Sequence, residues 1–146
     1  MGALMRLVTR CLFLTALLMT NGCSGSNTAA PSTSSGTFTQ TDLVVGTGAT
    51  ANTGSLVTVT YSGWLYDTSK VGGKGTFFDG RPGFQLTLGA GSVIAGWDQG
   101  IVGMRVGGQR RLIIPPELAY GSSPPSGSPI PVNATLVFDI TLTAVQ

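Results

Sequence analysis

The chain has 146 residues, 22 of them Gly, with only 10% charged residues and a formal charge of +2. That length suits one domain, and the Gly-rich, charge-poor composition points to strands and turns rather than a helical bundle. His is absent and Cys occurs only twice, as Cys11 and Cys23 near the start, which leaves the rest without the usual zinc ligands, thiol or imidazole nucleophiles, or an internal disulfide. Residues 1–22 read as an export signal, with Arg6 and Arg10 ahead of a short apolar centre from Cys11 to Met19. Without Arg6 and Arg10, six basic residues face six acidic ones, so no basic stripe exists to bind nucleic acid or an anionic membrane surface. Small residues before Cys23 resemble a bacterial lipoprotein processing box, although Thr20 and Asn21 are not the usual residues there. Lipidation of Cys23 is expected, with ordinary cleavage after Ala30 as the alternative. Residues 23–40 are Ser-, Thr- and Gly-rich and read as a flexible tether.

The folded domain is expected over residues 41–146. Leu43 to Val45 is a short strand candidate. Leu56 to Tyr61 alternates with Val57, Val59 and Tyr61 on one face, and Ser62 to Asp67 continues it after a Gly bulge. Thr68 to Gly75 reads as a loop, Thr76 to Asp79 as a brief strand, Gly80 to Gly83 as a turn, and Phe84 to Leu88 as another strand. Ile94, Trp97, Ile101 and Met104 are spaced as the apolar stripe of one short helix. Gln109 to Ile114 is a strand that ends at Pro115-Pro116. Tyr120 to Val132 is a Pro-rich loop, and Thr135 to Val145 is a last strand with Leu136, Phe138, Ile140 and Leu142 on one face. One helix among strands packs across a sheet. On periodicity alone Trp97 is either core or the floor of a pocket.

Six segments carry a family resemblance. They are Val59-Thr60-Tyr61-Ser62-Gly63, Phe78-Asp79-Gly80, Phe84 to Gly89, Val93-Ile94-Ala95-Gly96-Trp97, Pro115 to Gly121, and Asn133 to Asp139. In this order and spacing they resemble the FKBP class of peptidyl-prolyl cis/trans isomerases, from about Leu56 to Val145. The resemblance implies an α+β fold, a curved antiparallel sheet of five to six strands wrapped round one short α-helix. It also implies an apolar pocket with Trp97 as floor, Tyr61, Phe84 and Phe138 as walls, and Phe78, Val93 and Ile130 at the rim. The Ile94 N–H, the Tyr120 hydroxyl and the Asp79 carboxylate would be its polar points. The turn Gly80 to Gly83 is shorter than is usual in the family, which leaves open whether Arg81 reaches Asp79.

The activity implied is isomerisation of X–Pro bonds to assist protein folding outside the cytoplasm, with no cofactor and no metal. The partners implied are proline-containing polypeptides and the family's macrolide inhibitors. The protein is expected to be a monomer, held to a bacterial membrane only through the lipid on Cys23. Two other readings stand beside this one: a proline-segment-binding chaperone or assembly module in which turnover is incidental, and a structural envelope lipoprotein with a vestigial pocket.

Overall fold

A computed structural model describes residues 36–146; the leader, Cys23 and most of the expected tether lie outside the described residues. Five strands form one antiparallel sheet: β1 (Thr39–Val44), β2 (Leu56–Tyr66), β3 (Lys74–Thr87), β4 (Gln109–Ile114) and β5 (Leu136–Val145). Their order across the sheet is β1-β4-β5-β2-β3, with β1 and β3 at the edges. The single α-helix among the described residues, α1 (Ala95–Gly100), lies on one face. This is the expected α+β architecture.

The alternation that marks the strands decides what is buried. Leu136, Phe138, Ile140 and Leu142 on β5, Val57 and Val59 on β2, and Leu112 and Ile114 on β4 are all buried, because side chains two residues apart share a face. Trp97, Ile101 and Met104 fill the space between this face and the helix segment.

The helix is shorter than the apolar stripe suggested. Ile94 and Ile101 flank it as caps, and Met104 lies beyond it. What seats α1 is a pair of glycines four residues apart. A Cβ on Gly96 would stand 2.4 Å from Ile114, and one on Gly100 would stand 2.5 Å from Leu112. Only glycine lets the helix backbone come this close to β4. A helix of six residues is not stable by itself, so this seat, rather than helix propensity, holds it.

The remaining differences lie on the edge strands. The first strand starts at Thr39 rather than Leu43, so the sheet takes in two residues assigned to the tether by composition. The expected turn Gly80 to Gly83 is not a turn. β3 runs unbroken from Lys74 to Thr87 and absorbs the extra residues as bulges. Tyr61 pairs with Arg81 and Val59 with Phe84, which leaves Pro82 and Gly83 opposite the single residue Thr60. Proline at such a place costs no ladder hydrogen bond on an edge strand. The expected loop Thr68 to Gly75 is only partly a loop: a turn of 3-10 helix covers Val71–Gly73 and β3 starts at Lys74.

Candidate functional site

A cavity of about 560 Å³ opens between α1 and the inner face of the sheet. Its apolar surface comes from Tyr61, Phe78, Phe84, Val93, Ile94, Trp97 and Phe138, together with Ala95 and Ala119. Trp97 settles both of its readings at once, since it is buried among the core residues and also lines the cavity. Three rings stand edge-on to its indole: Tyr61 with centroids 4.9 Å apart, Phe138 at 5.2 Å and Phe84 at 6.0 Å. Edge-to-face contact is the favoured aromatic geometry, and four such rings make a stiff apolar bowl. The indole Nε1–H is buried with no hydrogen-bond partner among the described residues.

Gly63 makes room for the wall. A Cβ there would lie 2.8 Å from the rings of both Phe138 and Phe78, which themselves meet edge-to-face at 5.6 Å. On the facing strand a bulge does the aiming. Gly63 pairs with Asp79 and Trp64 with Phe77, so Phe78 is the unpaired extra residue. In a regular strand Phe78 and Asp79 would point to opposite faces. The bulge lets both consecutive side chains line the cavity.

The polar groups are few. The Tyr61 hydroxyl donates to Asp79 Oδ2 at 2.6 Å, and the Gly80 N–H donates to Asp79 Oδ1 at 2.9 Å. Burial, reinforced by the hydrogen bond to Asp79, pushes the Tyr61 hydroxyl up to about 12. Tyr120 is presented by the 3-10 turn Pro116–Leu118, whose Pro116 carbonyl accepts from the Ala119 and Gly121 N–H groups. Burial, and then the charge of Asp79, also raises the Tyr120 hydroxyl. Both phenols therefore stay neutral donors. The Tyr120 hydroxyl and the Ile94 N–H have no partner among the described residues, which leaves two donors at the cavity with unused capacity. Asp98 steadies the opposite rim by accepting from Gly89 N–H at 2.9 Å and Gly91 N–H at 3.3 Å.

Nine of the ten site residues expected from the sequence line this cavity: Tyr61, Phe78, Asp79, Phe84, Val93, Ile94, Trp97, Tyr120 and Phe138. Ile130 does not. It is 7% exposed and belongs to the core cluster, because the loop turns this one large apolar side chain inward and leaves Pro129 and Pro131 outside. Among the described residues Arg81 makes no ion pair with Asp79. Gly91, Ser92, Ala95 and Ala119 also line the cavity. Small residues beside a motif give no signal of their own, so sequence reasoning did not assign them to the wall. Among the described residues no group of three or more His, Cys, Asp or Glu could hold a metal ion.

Comparisons with known proteins agree with this geometry. The family described as FKBP-type peptidyl-prolyl cis-trans isomerase matches residues 48–143. The chain is 46% identical over 110 residues to the 46 kDa FK506-binding nuclear protein of Spodoptera frugiperda, covering 72% of this chain but 24% of that one. It thus spans about a quarter of that relative. It is 43% identical over 104 residues to the FK506-binding protein of Neisseria meningitidis serogroup B, covering 71% of this chain and 92% of the other. Among solved structures it is similar to a peptidyl-prolyl cis-trans isomerase from Pseudomonas syringae pv. tomato, at TM-score 0.63 and 34% identity, covering 75% of each chain.

Proposed function

Since this chain belongs to the FKBP-type peptidyl-prolyl cis-trans isomerase family, we propose that its cavity catalyses rotation about X–Pro peptide bonds. The observation that carries this reading is the aromatic bowl floored by Trp97, with unpartnered donors at Tyr120 and Ile94 on its rim. An X–Pro amide resists rotation because resonance makes its C–N bond partly double, with a barrier of roughly 18–20 kcal/mol. Resonance places negative charge on oxygen and positive charge on nitrogen, and water stabilises that planar, charge-separated form. Rings stabilise it less, so transfer into the bowl favours the twisted state. Each ~1.4 kcal/mol gained in the twisted state over the planar one is tenfold in rate.

The chain's polar groups serve this without a nucleophile or general base. The Ile94 N–H and the Tyr120 hydroxyl hold carbonyls flanking the rotating bond. Asp79, fixed by Tyr61 and Gly80, sets a single negative charge at the wall beside the rotating amide. Proline-containing polypeptides are the substrates, and macrolides of the FK506 type compete for the same bowl. The protein acts as a monomer and needs no cofactor. The apolar leader and Cys23 further support export and attachment to a bacterial membrane by a lipid, where the domain assists folding outside the cytoplasm; the mass of the mature N-terminal peptide tests that part.

The decisive experiment is a proline-isomerisation assay of the full chain with a short X–Pro peptide. Acceleration that an FK506-type macrolide abolishes is the expected result. Tight macrolide binding with no acceleration would replace this reading with that of a binding module. Asp79→Ala should retain the fold and lower activity or macrolide affinity at least several-fold, and unchanged values for both would remove Asp79 from the site.

A further inference from the structure

We propose that Arg110 and Asp42 form a clamp that positions the floor of the cavity from behind. The inner face of β4 carries Arg110, Leu112 and Ile114 in succession, and this row runs under α1. Ile114 lies beneath Gly96 and Leu112 beneath Gly100. Arg110 continues the row to the C-terminal end of the helix, where its Nη1 donates to the carbonyls of Gly100 at 2.9 Å and Val102 at 3.2 Å. The other two nitrogens turn outward. Nε donates to Asp42 Oδ1 at 2.5 Å and Nη2 to Asp42 Oδ2 at 3.1 Å.

One guanidinium therefore joins three elements: the end of the helix, the strand beneath it and the edge strand β1. The Arg110 side chain is 11% exposed, whereas that of Asp42 is 45% exposed. The two stand directly opposite each other across the β1–β4 ladder, and the Arg110 guanidinium holds the Asp42 carboxyl below its ordinary range. A cation at a helix C-terminus is favourable in itself, since the terminal carbonyls lack partners. A lysine could not make the same contacts, because a single ammonium cannot fork to a carboxylate while also meeting two carbonyls.

The helix has no side-chain cap at its start, and Trp97 sits one turn before the clamped end, with its carbonyl accepting from the Ile101 N–H at 3.0 Å. A shift at Gly100 is passed to Trp97 and to the Ile94 N–H through this one turn. Arg110 acts through the helix and does not itself line the cavity, so it is a positioning residue.

The next residue supplies the control. Arg111 faces the other side of the sheet and makes the same kind of fork to Asp139, at 2.6 and 2.9 Å, with no contact to α1. The test uses the full chain carrying Trp64→Phe, so that Trp97 is the only indole. Arg110→Gln, Arg110→Lys, Asp42→Asn and Arg111→Gln are compared well below each variant's Tm. For Arg110→Gln we expect a red-shifted Trp97 emission, faster amide exchange at Ile101 and Met104, and a loss of kcat/KM of roughly tenfold. Arg110→Lys should lie between it and the parent, and also serves if Arg110→Gln does not fold. Asp42→Asn should show the same changes at smaller size. Arg111→Gln should lower Tm while leaving emission and kcat/KM within about twofold of the parent.

Equal effects of the Arg110 and Arg111 changes on emission and kcat/KM would overturn the clamp. So would unaltered Trp97 emission and helix exchange in Arg110→Gln. The kcat/KM arm rests on the isomerase reading. If the parent has no isomerase activity that reading fails, while emission and exchange still decide the clamp.

Discussion

The two faces of the sheet are built from neighbouring residues of similar type and put them to different uses. Phe78 lines the cavity, while Phe77 is 56% exposed on the other side, stacked edge-on to Trp64 at 6.0 Å. Phe138 is a wall of the cavity, and Asp139 beside it takes a fork from Arg111 and a 3.0 Å contact from Lys74. On the inner face three rings meet around Trp97 with little charge among them. On the outer face Trp64 sits beneath the Lys74 ammonium, 4.6 Å from its ring centre. The turn at Gly72 and Gly73 packs against Arg111, Tyr66 and Val137 there. The lesson is that aromatic content does not mark a site. Rings form a hollow where they meet beside a helix seated on the sheet, and the same rings on the open face become a surface cluster with ion pairs.

This contrast can be broken most forcefully at Phe138. Phe138→Ala should destabilise the domain by about 3–5 kcal/mol, as loss of a buried ring usually does, and should abolish macrolide binding at temperatures where the variant is folded. Urea unfolding and a binding titration measure the two effects. If stability falls by less than 1 kcal/mol by that test, the bowl is not part of the core.

The outer face should respond through charge. Asp139→Asn should cost about 1.5–3 kcal/mol, the range for hydrogen bonds to charged groups, with kcat/KM little altered. Burial alone would raise the Asp139 carboxyl, but hydrogen bonds from Arg111 and Lys74 outweigh it and hold the group below the ordinary carboxylate range. Folding therefore favours the ionised form. Its contribution to stability is present above about pH 4 and is lost as the pH falls through the lowered folded value. Urea midpoints between pH 2 and 6 should show the parent losing stability toward acid more steeply than Asp139→Asn. Parallel curves would mean that the fork contributes nothing. The smallest effect belongs to Phe77→Ala, which should change stability by no more than about 0.5 kcal/mol, as at most exposed positions. A larger loss in urea unfolding would show that the Trp64–Phe77 pair is structural.

Much of this was legible beforehand because alternation along a strand reports burial directly. Val57, Val59, Leu112, Leu136 and Phe138 were placed correctly on that ground alone. The pairing of Phe78 with Asp79 in one site came from the family resemblance, since period two forbids it and only the bulge at Phe78 permits it. The Gly80–Gly83 stretch misled because Pro and Gly have the same appearance in a turn and in a bulged edge strand. Ile130 misled because a loop has no periodicity to say which way a side chain turns. Gly96 and Gly100 passed as ordinary helix residues, since their role depends on Ile114 and Leu112 coming within a Cβ's reach.

The order of the chain by itself determined the inner strands β2, β4 and β5, the place of α1 and the family, because short-range periodicity and motif spacing are properties of consecutive residues. The tertiary structure alone decided the depth of the hollow, the seat of α1 on two glycines and the division of labour between Arg110 and Arg111. Each of these depends on the distance between groups far apart in the chain, and such distances exist only once the sheet has closed around the helix.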